Sequence, residues 1–209
     1  MTTANVPSGS ARSDALSATG AALEGLAGVA ALTLTLLSFS GLAPAKLTPV
    51  AGLLVGASSI VEAAAVIVRA RGARRTKAFA GVRIRRSAMA AGVCGAAMMT
   101  LASCALAGIA PSMLTALLVT VGGVCLIASY DGVETWDVAH RLVLVGQRVR
   151  RRIGAMAAHV LAGFLAVVFG VLGLDPATGG SAASTAGLAV LAAAFAFSGA
   201  ALSAQADRD

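Results

Sequence analysis

Apolar positions in this chain run in long unbroken blocks and lack the three-and-four spacing of a soluble amphipathic helix. Residues 25–45, 87–130, 153–174 and 176–206 contain no Asp, Glu, Lys or Arg. A helix that crosses a hydrocarbon layer about 30 Å thick needs about 20 mostly apolar residues at about 1.5 Å each. Each block holds one or two such lengths. Proline and glycine divide them: Pro111 breaks the longest block, Ser40-Gly41 precedes Pro44, and Gly173 precedes Pro176. The pattern predicts an all-α, polytopic membrane protein with six transmembrane helices, at about 21–41, 48–68, 88–109, 112–130, 153–173 and 183–203, paired as three helical hairpins within a domain at 20–204. The last span has few lipophilic side chains (Leu188, Val190, Leu191, Phe195, Phe197, Leu202) and otherwise reads as Ala, Ser and Gly. Such a helix inserts as a hairpin with its neighbour and packs closely.

Charge sets the expected orientation. Arg69, Arg71, Arg74, Arg75, Lys77, Arg83, Arg85 and Arg86 lie between the second and third spans, and Arg141, Arg148, Arg150, Arg151 and Arg152 between the fourth and fifth. The opposite side carries only Lys46. Basic residues are retained in the cytoplasm, so both termini are expected there, in a multi-pass protein of the cell (plasma) membrane. The net charge of +7 would suggest nucleic acid in a soluble chain. Here the basic groups flank apolar spans, and one Trp and one Tyr offer little to stack on bases. The expected partners are therefore the lipid bilayer and its anionic headgroups, with no nucleic acid.

Composition agrees: 58% of residues are hydrophobic and 12% charged, far from a soluble domain. An Ala-rich soluble bundle is the rival, and the length of the runs argues against it. Residues 1–19 read as a disordered cytoplasmic tail and 205–209 as a second short tail. Ala43-Pro44-Ala45 loosely imitates a signal-peptidase site, but the apolar stretch before it is too long and the leader too weakly basic, so no cleavage is expected. Cys94, Cys104 and Cys125 fall inside spans with no paired or zinc-like spacing and read as small packing residues. In 131–151, Val133, Trp136 and Val143 fall near one helical face, and Asp137 and Arg141 stand four apart. This segment is either an amphipathic helix in the cytoplasmic interface or an extension of the fourth span.

The hairpins also look like copies of one unit. Each opens with an Ala-Gly step (Ala27-Gly28, Ala91-Gly92, Ala162-Gly163), turns at a proline (Pro44, Pro111, Pro176) and closes on Glu62-Ala63, Asp131-Gly132 or Ser198-Gly199. Gly28, Gly92 and Gly163 are expected at equivalent helix contacts. Three hairpins in one short chain, glycine in the first helix, proline in the turn and the closing stretch Leu126-Ile127-Ala128-Ser129-Tyr130-Asp131-Gly132 resemble the HdeD-type short-repeat integral membrane proteins. That resemblance covers about 21–203 and implies a non-enzymatic role in acid or envelope stress, with no catalytic residues to carry over. The basic loops are heavier than the family's, and only one hairpin carries Asp-Gly.

No phosphate loop, metalloprotease helix, nucleophile elbow or paired-cysteine site is present, so no catalytic residue, metal site or cofactor is expected. Asp131, Glu134 and Asp137 spread over about a third of a helix circumference and read as a solvated face. Gly52-Leu53-Leu54-Val55-Gly56 lets another helix come close, from this chain or from a second copy in a homo-oligomer. Glu62 and His159 are ionisable groups each expected about 10 Å inside the apolar layer at helical rise. Glu62 shares a small polar stripe with Ser58 and Ser59, and the two ionisable groups are a candidate intramembrane pair. Either Glu62 is a tolerated polar residue in a structural stress protein, or it takes and releases protons in a small proton-coupled transporter or channel.

Overall fold

The computed structural model describes residues 9–72, 78–129, 147–175, 177 and 180–206. They form six helices: α1 (Gly9–Phe39), α2 (Pro44–Gly72), α3 (Ala78–Leu106), α4 (Pro111–Ser129), α5 (Gln147–Gly173) and α6 (Gly180–Ala206), with no strand among the described residues. Five contain a stretch long and apolar enough to cross a membrane: Ala22–Phe39, Pro44–Ala64, Ala88–Leu106, Pro111–Ala128 and Gly180–Ser198. α5 contributes a shorter apolar stretch, Ala157–Gly173. The chain is a multi-pass helical membrane protein.

The helices outrun the apolar layer at the end that carries the arginines. α1 begins at Gly9, so residues 9–19, expected from composition to be disordered, are helical. Ala11, Ala15, Leu16 and Ala18 are good helix formers, and extending a helix already nucleated by its apolar part costs little. For the same reason α2 runs on to Gly72, α3 starts at Ala78, and α6 reaches Ala206 inside the expected C-terminal tail. α5 takes in Gln147–Arg151 from the segment expected to be amphipathic. The rest of that segment, Asp131, Glu134 and Asp137 included, lies outside the described residues.

Each helix packs against the next along the chain, and α1 packs against α6, closing a ring. Contacts α2–α4, α4–α6 and α2–α6 run across it. The second helices of the hairpins therefore form an inner triangle, and each first helix fills an outer groove between two of them. The most extensive interfaces lie between hairpins: α2–α3, α1–α6 and α4–α5. Such an arrangement buries small-residue faces that no hairpin could bury alone.

A common register runs through the three hairpins. The buried stripe of α1 is Glu24, Gly28, Ala31, Thr35 and Ser38. α3 repeats it as Ala91, Gly95, Met98, Ala102 and Ala105, and α5 as the half-buried His159 followed by Gly163, Ala166, Gly170 and Gly173. On the inner helices Thr48, Ala51, Gly52, Val55, Gly56, Ser58 and Ser59 are buried in α2, and their counterparts Thr115, Leu118, Val119, Gly122, Gly123, Cys125 and Leu126 in α4. Ser184, Gly187, Leu188, Leu191, Ala192, Ala194 and Phe195 repeat the pattern in α6. The first two turns match as well. Gly41 (φ 84°) and Gly108 (φ 83°) end their helices in the left-handed region, where glycine is free of a Cβ clash. In each turn the next residue bonds back to close a Schellman motif (Leu42 N to Leu37 O, 3.3 Å; Ile109 N to Cys104 O, 3.1 Å). Pro44 and Pro111 then open α2 and α4 at the position where a missing N–H costs nothing. The third turn differs: Asp175 accepts from the Ala177 N–H at 2.9 Å, and Pro176 lies outside the described residues.

These helices sort side chains by size more than by polarity. Leu23, Leu26, Leu36 and Phe39 of α1, Met89 and Val93 of α3, and Leu161, Phe164 and Val171 of α5 point outward, where lipid accepts them. Ala, Gly, Ser and Thr point inward and let backbones approach. A Cβ built on Gly56 would stand 2.9 Å from Gly95 O, and one on Gly163 2.9 Å from Gly123 O. One on Gly28 would stand 2.8 Å from the Ala196 Cα. Where the inner helices meet, Val55, Leu118, Val119, Leu188 and Leu191 are at most 1% exposed and fill the centre.

Candidate intramembrane carboxylate site

Glu24 interrupts the small-residue face of α1. It is 2% exposed, one of the largest fully buried side chains of the molecule. Its position follows from helical geometry: the sequence steps from Glu24 through Gly28, Ala31, Thr35 and Ser38 keep one face turned to α6 and α2. The Ser198 hydroxyl of α6 donates to its carboxylate. The other oxygen, Oε1, has no hydrogen-bond partner.

Glu62 of α2 lies close enough for the two carboxylates to repel. The far end of the hairpin explains the pairing. Ser38 and Thr48 share a hydrogen bond at 2.7 Å across α1 and α2. Glu24 and Glu62 are equally far along their helices from that bond, about 21 Å at helical rise, so antiparallel packing brings them to one depth. Glu62 is half-buried. Across the α2–α3 interface its neighbour Ala63 clusters with Ala91, Cys94 and Cys125.

Within the apolar stretches packed around the pair the one basic residue is Lys46, at the far end. α1 packs only against α2 and α6. α6 contains no charged or imidazole side chain over its whole length. Besides Glu62, α2 carries Lys46 at its far end and Arg69 and Arg71 beyond the apolar stretch, and α1 adds only Arg12 and Asp14. α4 has no charged residue, and the arginines of α3 precede its apolar stretch. An isolated carboxylate in a bilayer costs about 2.5–3.5 kcal/mol at mid-depth and less toward an end. Two facing each other without a counter-ion need something positive between them. No group of three metal-ligating side chains occurs among the described residues.

The remaining candidates fall as follows. His159 occupies in α5 the register position that Glu24 holds in α1. α5 packs against α4 and α6, and α2 and α5 are not among the helix pairs that pack along their length. The carboxylate beside Glu62 is Glu24, which the sequence alone did not single out. Its signal was a charged residue inside a predicted span, one turn before Gly28 on the same face. Ser58 and Ser59 both donate to Val55 O, at 2.8 and 3.0 Å, satisfying their own helix. Gly52 and Gly56 serve two neighbours in this chain: a Cβ on Gly52 would meet the Leu118 side chain, and one on Gly56 the α3 backbone. Gly28 and Gly163 sit at close backbone crossings, whereas a Cβ on Gly92 would meet only the Ala63 Cβ, at an ordinary 3.5 Å. The equivalent of Gly28 and Gly163 in α3 is Gly95, one turn on. No protein-family model, curated protein or solved structure matches the chain.

Proposed function

We propose that this is a non-enzymatic membrane protein that binds a proton within the bilayer, at Glu24 and Glu62, and responds to acid. The observation that carries the reading is Glu24: a fully buried carboxylate, one oxygen without a partner, at the depth of a second carboxylate and in an apolar stretch that contains no basic residue. A proton between the two groups removes their repulsion and supplies the missing hydrogen bond. The arginine-rich end faces the cytoplasm of a plasma membrane in this reading, in keeping with the charge asymmetry of the loops. The three-hairpin ring supports an HdeD-like stress role, because that resemblance rests on the same repeated unit. The carboxylates equally support a small proton-coupled transporter. The apolar centre at Val55, Leu118, Val119, Leu188 and Leu191 favours a responder over a conduit.

The test uses the full chain in sealed vesicles. Acidification should produce an infrared band of protonated carboxyl that Glu24→Gln removes. Acid-driven proton flux should stay at the level of empty vesicles. Absence of any such band would overturn proton binding, and strong flux would move the protein to the transporter class.

A further inference from the structure

Resting on that reading of the Glu24 and Glu62 pair, we infer that the two carboxylates form a proton well with one mouth: protons come in at the arginine-rich end through Glu62, stop on Glu24, and have no path to the proline-turn end. Three observations carry this.

The first is the unequal burial of the pair. Glu62 is half-buried, whereas Glu24 is 2% exposed. Glu62 has the larger exposed surface of the two, so a proton that reaches the pair from outside the bundle meets it first, and its charge acts on Glu24 from the same depth of the neighbouring helix. The transfer balances simply. A hydronium ion gives its proton to the Glu62 carboxylate and leaves water. The Glu62 carboxylic acid then passes that proton to Glu24 Oε1 and returns to carboxylate. Oε1 is the oxygen free to receive it, since Ser198 already donates to the Glu24 carboxylate and Oε1 has no partner.

The second is depth. Glu24 lies close to the start of the apolar stretch Ala22–Phe39, and Glu62 close to the end of Pro44–Ala64. Both are therefore near the arginine-rich surface. The Ser38–Thr48 hydrogen bond marks the opposite end, about 21 Å away at helical rise.

The third is the absence of a relay beyond Glu24 among the described residues. The next groups along the buried stripe of α1 are Gly28 and Ala31, which carry no side-chain proton acceptor, and on the Glu62 stripe of α2 Ser58 and Ser59 both donate to Val55 O. Thr35 donates to Ala31 O at 2.7 Å, Thr115 to Pro111 O at 2.7 Å, and Ser184 to Gly180 O at 2.8 Å. Each of these hydroxyls turns back onto its own helix. Val55, Leu118, Val119, Leu188 and Leu191 fill the space between the inner helices. Proton hopping needs a connected chain of hydrogen-bonding groups or water, and an apolar centre this well filled holds neither.

The groups that face the pair are few. α2 presents Glu62 to Glu24, and α6 presents Ser198 and no charge. α3 presents Ala91 beside Glu62's neighbour Ala63, and α4 presents Cys125. None of these described side chains is a base, so Glu24 is where the proton ends.

The experiment reconstitutes the full chain in sealed phosphatidylethanolamine–phosphatidylglycerol vesicles, sorted by orientation through a biotin on one terminus. The pH of each compartment is stepped separately while the protonated-carboxyl infrared band is followed. Acid at the arginine-rich end should raise the band. Acid at the proline-turn end, where Asp175 has its own carboxylate, should leave the part of the band that Glu24→Gln removes unchanged until a protonophore equalises the compartments. Glu62→Gln should keep the Glu24 band but slow its appearance roughly ten-fold or more, as losing a proton-transfer group does. Glu24→Asp, which keeps a carboxyl and shifts its band, assigns the signal if Glu24→Gln fails to fold. A Glu24-dependent band that follows pH at the proline-turn end without protonophore, or an unchanged rate in Glu62→Gln, overturns the well. A band absent from the wild-type chain instead overturns proton binding itself, so the two failures are separable.

Discussion

The hairpins α1–α2 and α3–α4 share a turn and, position for position, the pattern of burial, yet at one layer only the first carries carboxylates. Where α1 has Glu24, α3 has Ala91; where α2 has Glu62, α4 has Ser129. Shape is therefore common to the two hairpins, while ionisable groups at this layer belong to the first. The scaffold can be built with alanine at the Glu24 position, as α3 does, and the carboxylate there adds burial cost without adding a contact that packing requires. A buried polar group with no structural need is the mark of a functional position.

The largest effect should come from the feature the hairpins share. Gly28→Leu would force a side chain into the Ala196 backbone of α6, and backbone cannot rotate away as a side chain can. A loss of about 3 kcal/mol or more is expected, seen as failure to recover monodisperse protein in detergent. Gly163→Leu at the α4–α5 crossing should behave alike, because the crossings are equivalent. If one tolerates leucine and the other does not, the three interfaces are not built on one plan.

A transplant probes the difference itself. Ala91→Glu puts a carboxylate at the Glu24 position of the second hairpin, against Ala63 and Cys125, and toward Glu62, which holds in α2 the register position of Ser198 in α6, so a second acid stands where Glu24 has a hydroxyl donor. The expected cost is about 2–3 kcal/mol, toward the upper range for a membrane carboxylate near a span end, read as a lowered midpoint in detergent unfolding. A neutral outcome would mean that this layer is wet in every hairpin and that Glu24 is not special.

Ser198→Ala removes the one hydrogen bond to Glu24 and leaves Ala91-like chemistry on the α6 side. A loss of about 1–2 kcal/mol is expected for a bond to a charged or shared-proton acceptor. In the Glu24→Gln background the same change should cost less, and that double-mutant comparison isolates the contact. Equal costs in both backgrounds would place the Ser198 hydroxyl elsewhere.

Much of this plan was written in the hydrophobic pattern. The six helices, five of them long and apolar enough to cross a membrane, follow from run length, and Pro44 and Pro111 mark turns because proline opens a helix without losing a bond. Gly28, Gly56 and Gly163 stand at backbone crossings because a small residue in an apolar helix has little other use. The carboxylate pair was less legible. Glu62 stands out by its distance from Arg69, whereas Glu24 lies at the rim of its span, where a charged residue is ordinary. Its burial depends on α6, the last helix of the chain, and no local pattern relates Glu24 to Ser198. The HdeD-type resemblance and the cytoplasmic side of the arginines rest on sequence and enter the functional proposal on that footing.

The smallest expected effect decides the register. In an Ala-rich helix the steps Ala91-Gly92 and Cys94-Gly95 look alike, and the Ala-Gly step pairs Gly92 with Gly28. The turns pair Gly95 with it: aligning Gly41-Leu42-Ala43-Pro44 on Gly108-Ile109-Ala110-Pro111 carries Gly28 onto Gly95. The two glycines face different surroundings. A Cβ on Gly95 would stand 2.7 Å from Gly56 O and 2.9 Å from Ile60 Cγ1, so α2 and α3 must separate to admit it. A Cβ on Gly92 would touch only the Ala63 Cβ, at 3.5 Å. Gly95→Ala should therefore cost about 1–3 kcal/mol as an overpacked crossing. Gly92→Ala should be neutral, or stabilising by up to about 1 kcal/mol, because alanine loses less backbone freedom than glycine in a helix. Thermal unfolding of the two variants beside the parent in one detergent measures both. If Gly92→Ala costs as much as Gly95→Ala, α3 is turned by about one residue step from the face described, and the equivalence of Glu24, Ala91 and His159 around the ring falls with it.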